Sequence, residues 1–463
     1  MQELIESLYQ EIARFKVDMD LLKAENEVLK SENARFKDLL GLNSQNSSIP
    51  SSKELYKSKK LSRKPSGRKQ GAQPGHKGHK RSEMVADEVI KVDLPSKCLC
   101  GGEIRPCGKP HIHRKIDLPE IKPHVIDYHL ESGRCRLCNK KQKSELPEGV
   151  TIDLFGPRVK AMIGSLGGFY KNSKRDIERI LKDLFNLDIS LGTISHNEGR
   201  IASVCKEEYE KIEQSLSYSK LLHIDETSHY NKGKMGWCWL FSSAEATMIK
   251  LEKTRGKKVL ENSVFGPKDN IIVSDRYAAY NYFAVENRQI CWAHLARDFA
   301  RLANSSYKEV SVMGEKLTVL AREVFALQRA LKAKEIGLLQ FFRRIKKLRK
   351  RSWYYLKNLS YLERSAIHAS RVAKNIMKSE SMMWKFIEDP LLIPLTNNHA
   401  ERQIRHYVIY RKNSYFTQSE RGNRFLERIM SLYMTWKQEN LNPVVKLLDQ
   451  LMMPKLATHQ PTP

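Results

Sequence analysis

The sequence predicts a multidomain α/β protein, and three observations carry that prediction. Between residues 219 and 300, short runs rich in Ile, Val, Leu, Trp and Cys (KLLHIDET, GWCWLFSS, ATMIKLEK, NIIVSDRY, NRQICWAHL) are separated by turn residues and one helical run, GKKVLENSVF, the pattern of an α/β unit. From Arg301 to Ile387 the strand signal vanishes and long helical runs replace it. Ahead of both, residues 5 to 40 repeat apolar positions in heptads, and residues 46 to 81 show no apolar period. These shifts divide the chain into a coiled coil (1–42), a basic flexible linker (43–89), a cysteine-bearing module (90–150) and a helical region (151–218). The first part of the α/β core (219–300), a helical insertion (301–387), the last part of the core (388–440) and a C-terminal tail (441–463) follow.

The heptad seam runs Ile5, Leu8, Ile12, Phe15, Met19, Leu22, Asn26, Leu29, Asn33, Phe36, Leu40, spaced alternately by three and four. Asn26 and Asn33 fall at a positions, where buried asparagine costs stability and favours two strands in register. The expectation is a homodimer; the alternative is one amphipathic helix lying on its own domain. The linker holds 11 Lys/Arg from Lys53 to Arg81 against one acid, Glu54, with Gly, Pro and Ser between them. Such a segment builds no core. Its cations, Lys59, Lys60, Arg63, Lys64, Arg68 and Lys69 among them, suit a phosphate backbone as well as a solvated tether.

Charge bounds the partner. With 81 Lys+Arg against 53 Asp+Glu the chain carries +28, which points to a polyanion, nucleic acid or an anionic membrane surface. The sequence has no apolar run of membrane-spanning length, and MQELIESLYQEIARF is acidic and amphipathic, unlike a secretion signal. A cytoplasmic protein with reduced cysteines is expected, so clustered cysteines are metal ligands before they are disulfides. Cys98-Leu99-Cys100 and Cys135-Arg136-Leu137-Cys138 form two such pairs flanking a stretch that reads as β-rich, IRPCGKPHIHRKIDLPEIKPHVIDYHLE. Four thiolates would close a tetrahedral Zn²⁺ site resembling a zinc ribbon. Cys107, His111 and His113 are alternative ligands, and unliganded small-core cysteines the bland reading.

Further on, RDIERILKDLF, the turn NLDIS and LGTISHNEGRIASVCKEEYEKI suggest helix, turn, helix, compatible with a DNA-binding region and common in any helical domain. Asp225 ends the strand-like run Leu221–Ile224 and Asp275 ends Ile271–Ser274, each where loops meet and sites form, or where a turn simply needs an acid. Glu401 lies in TNNHAERQIR. There it could sit three residues after a capping Asn398, as in a capping box, or serve as a metal ligand. A basic protein that places Mg²⁺ beside phosphodiesters needs a spaced set of carboxylates like these three, because hard oxygen ligands suit a hard cation.

HIDETSHYNKGKMGWCWLF, VSDRYAAYN, CWAHLARDF and TNNHAERQIRHYVIYRKNSYF, in that order, resemble the catalytic core of the insertion sequence 66 family of bacterial transposases. NSSIPSS, GAQPGHKGH, the cysteine pairs, FGPRVKAMI and LNPVVKLLDQL extend the resemblance to almost the whole chain. It implies a ribonuclease-H-like domain with a DDE triad of Asp225, Asp275 and Glu401 holding Mg²⁺ (or Mn²⁺), and an α-helical insertion between the second and third acids. It departs from the family at Ala296, where a second arginine is expected beside Arg297, and at Asn423, where alanine is usual.

The implied activity is DNA transposition: metal-dependent cleavage at the ends of an element, then attack of the freed 3′-hydroxyl on target DNA. Arg297, Arg402, Arg405, Arg411 and Lys412 are the expected phosphate contacts, with surface salt bridges as the alternative. The partners would be double-stranded DNA at element ends and target, a second copy of the chain and element-encoded accessory proteins. The protein would then be nucleoid-associated. A non-catalytic DNA-binding regulator, or a ribonuclease-H-type nuclease acting on hybrids, are the competing readings.

Overall fold

The computed structural model describes residues 2–43, 71–72, 75–78, 84–105, 107–109, 111–263, 270–362 and 366–453. The chain forms two compact units, residues 58–121 and the remainder. In the smaller unit the described chain is irregular. One isolated bridge, Lys97 to Glu103, closes a tight turn in which the Cys98 N–H donates to the Gly102 carbonyl at 2.9 Å. The basic cluster from Lys59 to Lys69 lies outside the described residues.

The larger unit opens with a single long helix, α1 (Gln2–Leu40). Its seam residues are exposed, Phe15 at 67% and Leu22 at 60%, so the helix does not lie along its own domain. Near its end, Asp38 accepts the Ser306 N–H at 2.8 Å and the Ser305 hydroxyl at 3.1 Å. The stretch read as β-rich holds no strand among its described residues up to Glu131. The pairing there is confined to a hairpin of β1 (Ser132–Arg134) and β2 (Lys141–Lys143). The physical reason is visible in the burial. Ile116, Leu118, Ile121 and Val125 are all exposed, and Pro119 and Pro123 remove ladder donors among them.

Helices α2 (Pro157–Gly164), α3 (Lys174–Phe185), α4 (Leu191–Val204) and α5 (Lys206–Ser217) follow. Asn186, left-handed at φ 48°, ends α3, and the Ser190 hydroxyl caps α4 by accepting the Thr193 N–H.

The sheet holds β3 (Leu221–Asn231), β4 (Lys234–Ser242), β5 (Thr247–Glu252), β6 (Ile271–Ser274) and β7 (Arg288–Ile290), in the order β5-β4-β3-β6-β7. β5, β4 and β3 are antiparallel, and β6 and β7 run parallel to β3. A short helix, α6 (Lys258–Glu261), precedes β6. Beyond β7 come α7 (Trp292–Ala303), α8 (Lys308–Lys332), α9 (Leu338–Ser360), α10 (Ile367–Lys378) and α11 (Glu380–Met383). Their apolar faces form a hydrophobic cluster of their own, joined by Ile290, Ile393 and Leu395 at the points of entry and return. The chain ends with α12 (Asn398–Ser414), α13 (Glu420–Gln438) and α14 (Pro443–Met452).

Edge strand β5 is not left open. The N–H groups of Thr247, Ile249 and Leu251 donate to Thr435 Oγ1, Ser431 Oγ and Glu427 Oε1 of α13 at 3.1, 3.0 and 2.7 Å. Four helical residues advance about 6 Å and two strand residues about 6.6 Å, so every fourth side chain of α13 meets every second amide of β5. An exposed edge would otherwise be a template for pairing with another chain.

Candidate active site

Asp225 does not end its strand. It is the fifth residue of the eleven in β3, whose polar continuation Thr227–Asn231 pairs with β4 through Asn231–Lys234. The expectation holds in a different sense. Parallel pairing of β3 with β6 stops at His223–Val273, and Asp275 follows directly on the last residue of β6. Both aspartates therefore lie just past the parallel ladder of β3 and β6.

The odd-numbered face of β3 meets α12. His223 Nδ1 bonds Asn397 Oδ1 at 2.9 Å, Arg411 donates to Thr227 Oγ1 at 2.9 Å, and His229 Nδ1 bonds Tyr407 Oη at 2.6 Å. Asp225 shares this face between His223 and Thr227, and Glu401 lies one helical turn along from Asn397. The helix start also corrects the capping reading. The cap position is Asn397 rather than Asn398, its side chain caps nothing, and Glu401 Oε1 is buried with no hydrogen-bond partner. Asn397 instead ties elements together: its Nδ2 donates to the Ile224 carbonyl at 2.7 Å and its N–H to Cys291 Sγ at 3.2 Å.

Electrostatics unites the three acids. Burial first, then the like charges of Glu226, Asp275 and Glu401, push the Asp225 carboxyl well above the ordinary carboxylate range, against the pull of the Glu226 N–H. Among the described residues, however, the set of ligand-type atoms lying within 4.8 Å of one another is Cys291, His294 and Glu401, not the three carboxylates. His294 Nδ1 is likewise buried and unpartnered, and burial and Arg297 lower its pKa while Asp275 and Glu401 pull it up.

Several residues of this site carried no signal in the sequence reading. Glu226, on the even face, accepts Arg255 Nε and Nη2 at 2.8 and 2.6 Å and the Tyr280 hydroxyl, and the Arg255 guanidinium lies 3.7 Å from the Tyr277 ring centre. Arg288, 2% exposed, donates to the Asp275 carbonyl at 3.3 Å and to Asn281 Oδ1 at 3.0 Å. Asn423, one of the departures, is buried with its Oδ1 on His229 Nε2 at 3.1 Å. The repeated asparagines of TNNHAER and the C-x-x-H spacing of Cys291 and His294 were the only available hints.

The expected phosphate contacts divide. Arg402, Arg405 and Lys412 are exposed on α12, Arg297 is half-buried on α7, and Arg411 is engaged with β3, its Nη1 reaching Thr227 and Ser228. The cysteine pairs sit on separate turns. The thiol of Cys98 is pulled down by the Cys100 N–H and thiol, and that of Cys135 by the N–H groups of Cys138 and Leu137 and by the Cys138 thiol.

Residues 174–424, more than half of the 463, match the family model described as Transposase IS66 family. The chain belongs to the IS66 transposase family. A second model, described as a family of unknown function (DUF6444), matches residues 1–82 of this transposase. An uncharacterized protein of Sinorhizobium fredii, y4hP, is 22% identical over 418 residues, covering 82% of this chain and 74% of the relative. Membership makes DNA the partner of this transposase, which agrees with a charge of +28. Among the described residues no helix is long and apolar enough to cross a membrane.

Proposed function

We propose that this IS66 transposase works through a ribonuclease-H-like core in which Asp225, Asp275 and Glu401 act as a DDE triad. It would cleave the ends of a mobile element and join the freed 3′-hydroxyl to target DNA. The observation that carries the reading is the desolvated Asp225 carboxyl on the central strand, burdened by the charges of Asp275 and Glu401. Sheet order supports it as well. The first acid lies on the central strand, the second follows the fourth strand in chain order, and the third rides a later helix.

The donor set fits Mg²⁺ or Mn²⁺. Carboxylate oxygens are hard ligands, Glu401 Oε1 is an orphaned buried acceptor, and Asp225 and Asp275 use Oδ1 for the Glu226 and Tyr277 N–H groups, leaving Oδ2 for a cation. Bound divalent ions would supply Lewis acidity and stabilise the leaving oxygen. The chain's own residues hold the frame. Asn397 fixes the start of α12 to β3, and Arg288 fixes the backbone at Asp275. Arg402, Arg405, Lys412 and Arg297 would take DNA phosphates, and Arg411 would do so through the nitrogens it does not spend on β3. No side-chain nucleophile is needed.

Around this core, the exposed seam of α1 supports a coiled-coil homodimer. The knuckle turns at Cys98–Cys100 and Cys135–Cys138 support a zinc-ribbon-like Zn²⁺ module, and α3–α4 a helix-turn-helix-like DNA contact. The test is incubation of the full chain with its element's end sequences and Mg²⁺, with mapping of the products. Asp225→Asn, Asp275→Asn and Glu401→Gln should each lower cleavage by orders of magnitude and leave DNA binding intact. Wild-type cleavage by Glu401→Gln would overturn the triad.

A further inference from the structure

Cys291 caps the start of α7 and His294 stands one turn along it, so the C-x-x-H spacing puts both side chains on one side of the helix. The Cys291 sulfur accepts the Asn397 N–H at 3.2 Å, and the His294 and Ala293 N–H groups also point at it. Burial raises the Cys291 thiol on balance against those donors, so what they supply is a fixed position for the sulfur. His294 Nδ1 and Glu401 Oε1 are buried without hydrogen-bond partners, and one ligand atom from each of the three residues lies within 4.8 Å of the others. Leaving two such groups unpaired is costly unless something binds them.

We propose that Cys291, His294 and Glu401 form a thiolate–imidazole–carboxylate site for a borderline transition-metal ion, Zn²⁺ foremost, which shares Glu401 with the catalytic site. Sulfur and nitrogen donors select zinc over magnesium, whose ligands are oxygens. A tetrahedral ion holds its ligands about 3.5 Å apart, so a movement of about 1 Å closes the set. Binding releases the thiol proton to solvent. The consequence rests on the triad reading. Glu401 has two stations, and zinc holds it at Cys291 and His294, away from Asp225 and Asp275, so zinc inhibits Mg²⁺-supported cleavage.

The test uses the full chain loaded with Co²⁺, whose thiolate charge-transfer absorption reports sulfur ligation. Wild type should bind one more cobalt than Cys291→Ser, with one thiolate's absorption lost in the variant. His294→Gln should weaken that same cobalt by at least about tenfold, and it serves if Cys291→Ser melts early. Asp225→Asn should keep the ion. Equal cobalt content in wild type and both ligand variants, or loss of the ion in Asp225→Asn, overturns the site. In the cleavage assay, the zinc concentration that halves activity should rise at least about tenfold in Cys291→Ser. An unchanged value overturns the inhibition. If the cobalt difference is present and wild type cleaves no DNA, the site stands and the triad reading falls.

Discussion

Glu427 offers a sharp test of how α13 seals the sheet. Its Oε1 accepts the Leu251 N–H at 2.7 Å, and burial, reinforced by Glu252 and opposed by that N–H, Lys250 and Arg428, raises its carboxyl from 4.5 to about 7. In the unfolded chain the group titrates near 4.5, so between pH 4.5 and 7 the folded state holds a proton that the unfolded state has lost. Stability from this group is therefore complete below 4.5 and falls as pH rises, by about 1.4 kcal/mol per unit and about 3 kcal/mol in all. Glu427→Gln keeps an acceptor for Leu251 and removes the charge that must be desolvated. At pH 8 the variant should be the more stable by about 3 kcal/mol, seen as a higher melting temperature. At pH 5 the difference should shrink to under about 1 kcal/mol. Calorimetry of both proteins from pH 5 to 8 checks this. A variant that melts below wild type at pH 8 would show Glu427 to be ionised and paired in the native state, and the argument from burial would fail.

Four further outcomes can be measured. Deleting residues 1–42 should reduce self-association in light scattering and impair paired-end complexes, since the exposed seam is a natural dimeriser. Substituting Lys59, Lys60, Arg63, Lys64, Arg68 and Lys69 by glutamine should weaken binding to end-sequence and random duplexes alike and flatten the dependence of affinity on salt. Cys135→Ser should release zinc measured by elemental analysis, whereas Cys107→Ser, on an exposed residue, should be nearly silent. Gly314→Ala should lower the melting temperature despite alanine's better helix propensity, at a cost of roughly 1–3 kcal/mol or more, because the added carbon would fall 2.1 Å from the Ala303 nitrogen, where α8 crosses α7.

What was legible in the sequence was what repeats locally. Leu221–Ile224 reads as a strand because three of its four residues are large aliphatics, and NIIVS reads as one for the run of aliphatics at its centre. The second half of β3, TSHYN, does not. Its buried His229 is satisfied by Tyr407 and Asn423, residues 178 and 194 positions away, so no local window contains the reason for its burial. The acids were legible as a family motif in order. Their neighbours were not: Arg288 reads as an ordinary basic residue until its donation to the Asp275 carbonyl is seen. The same limit left the capping alternative at Glu401 open, because the bond by which Asn397 starts α12 and holds it to β3 is tertiary and no local pattern shows it.

Those long-range bonds also explain how the third acid keeps its place after the helical excursion. The chain leaves the sheet at Ile290 and returns at Leu395, and the two ends are joined directly: the Trp292 N–H donates to the Leu395 carbonyl at 2.8 Å and the Asn397 N–H to Cys291 Sγ at 3.2 Å. With entry and exit pinned side by side, the intervening helices satisfy their own apolar faces and impose no register on α12. Closure of so long a segment costs little more than closure of a short one, because the entropy grows only with the logarithm of length. Glu401 is then positioned by β3 through Asn397, Tyr407 and Arg411, at both ends of the helix that carries it. The insertion is free to vary or to bind without displacing the carboxylate, and the short path from α7 to α12 through Cys291 is where a signal from it would reach the site.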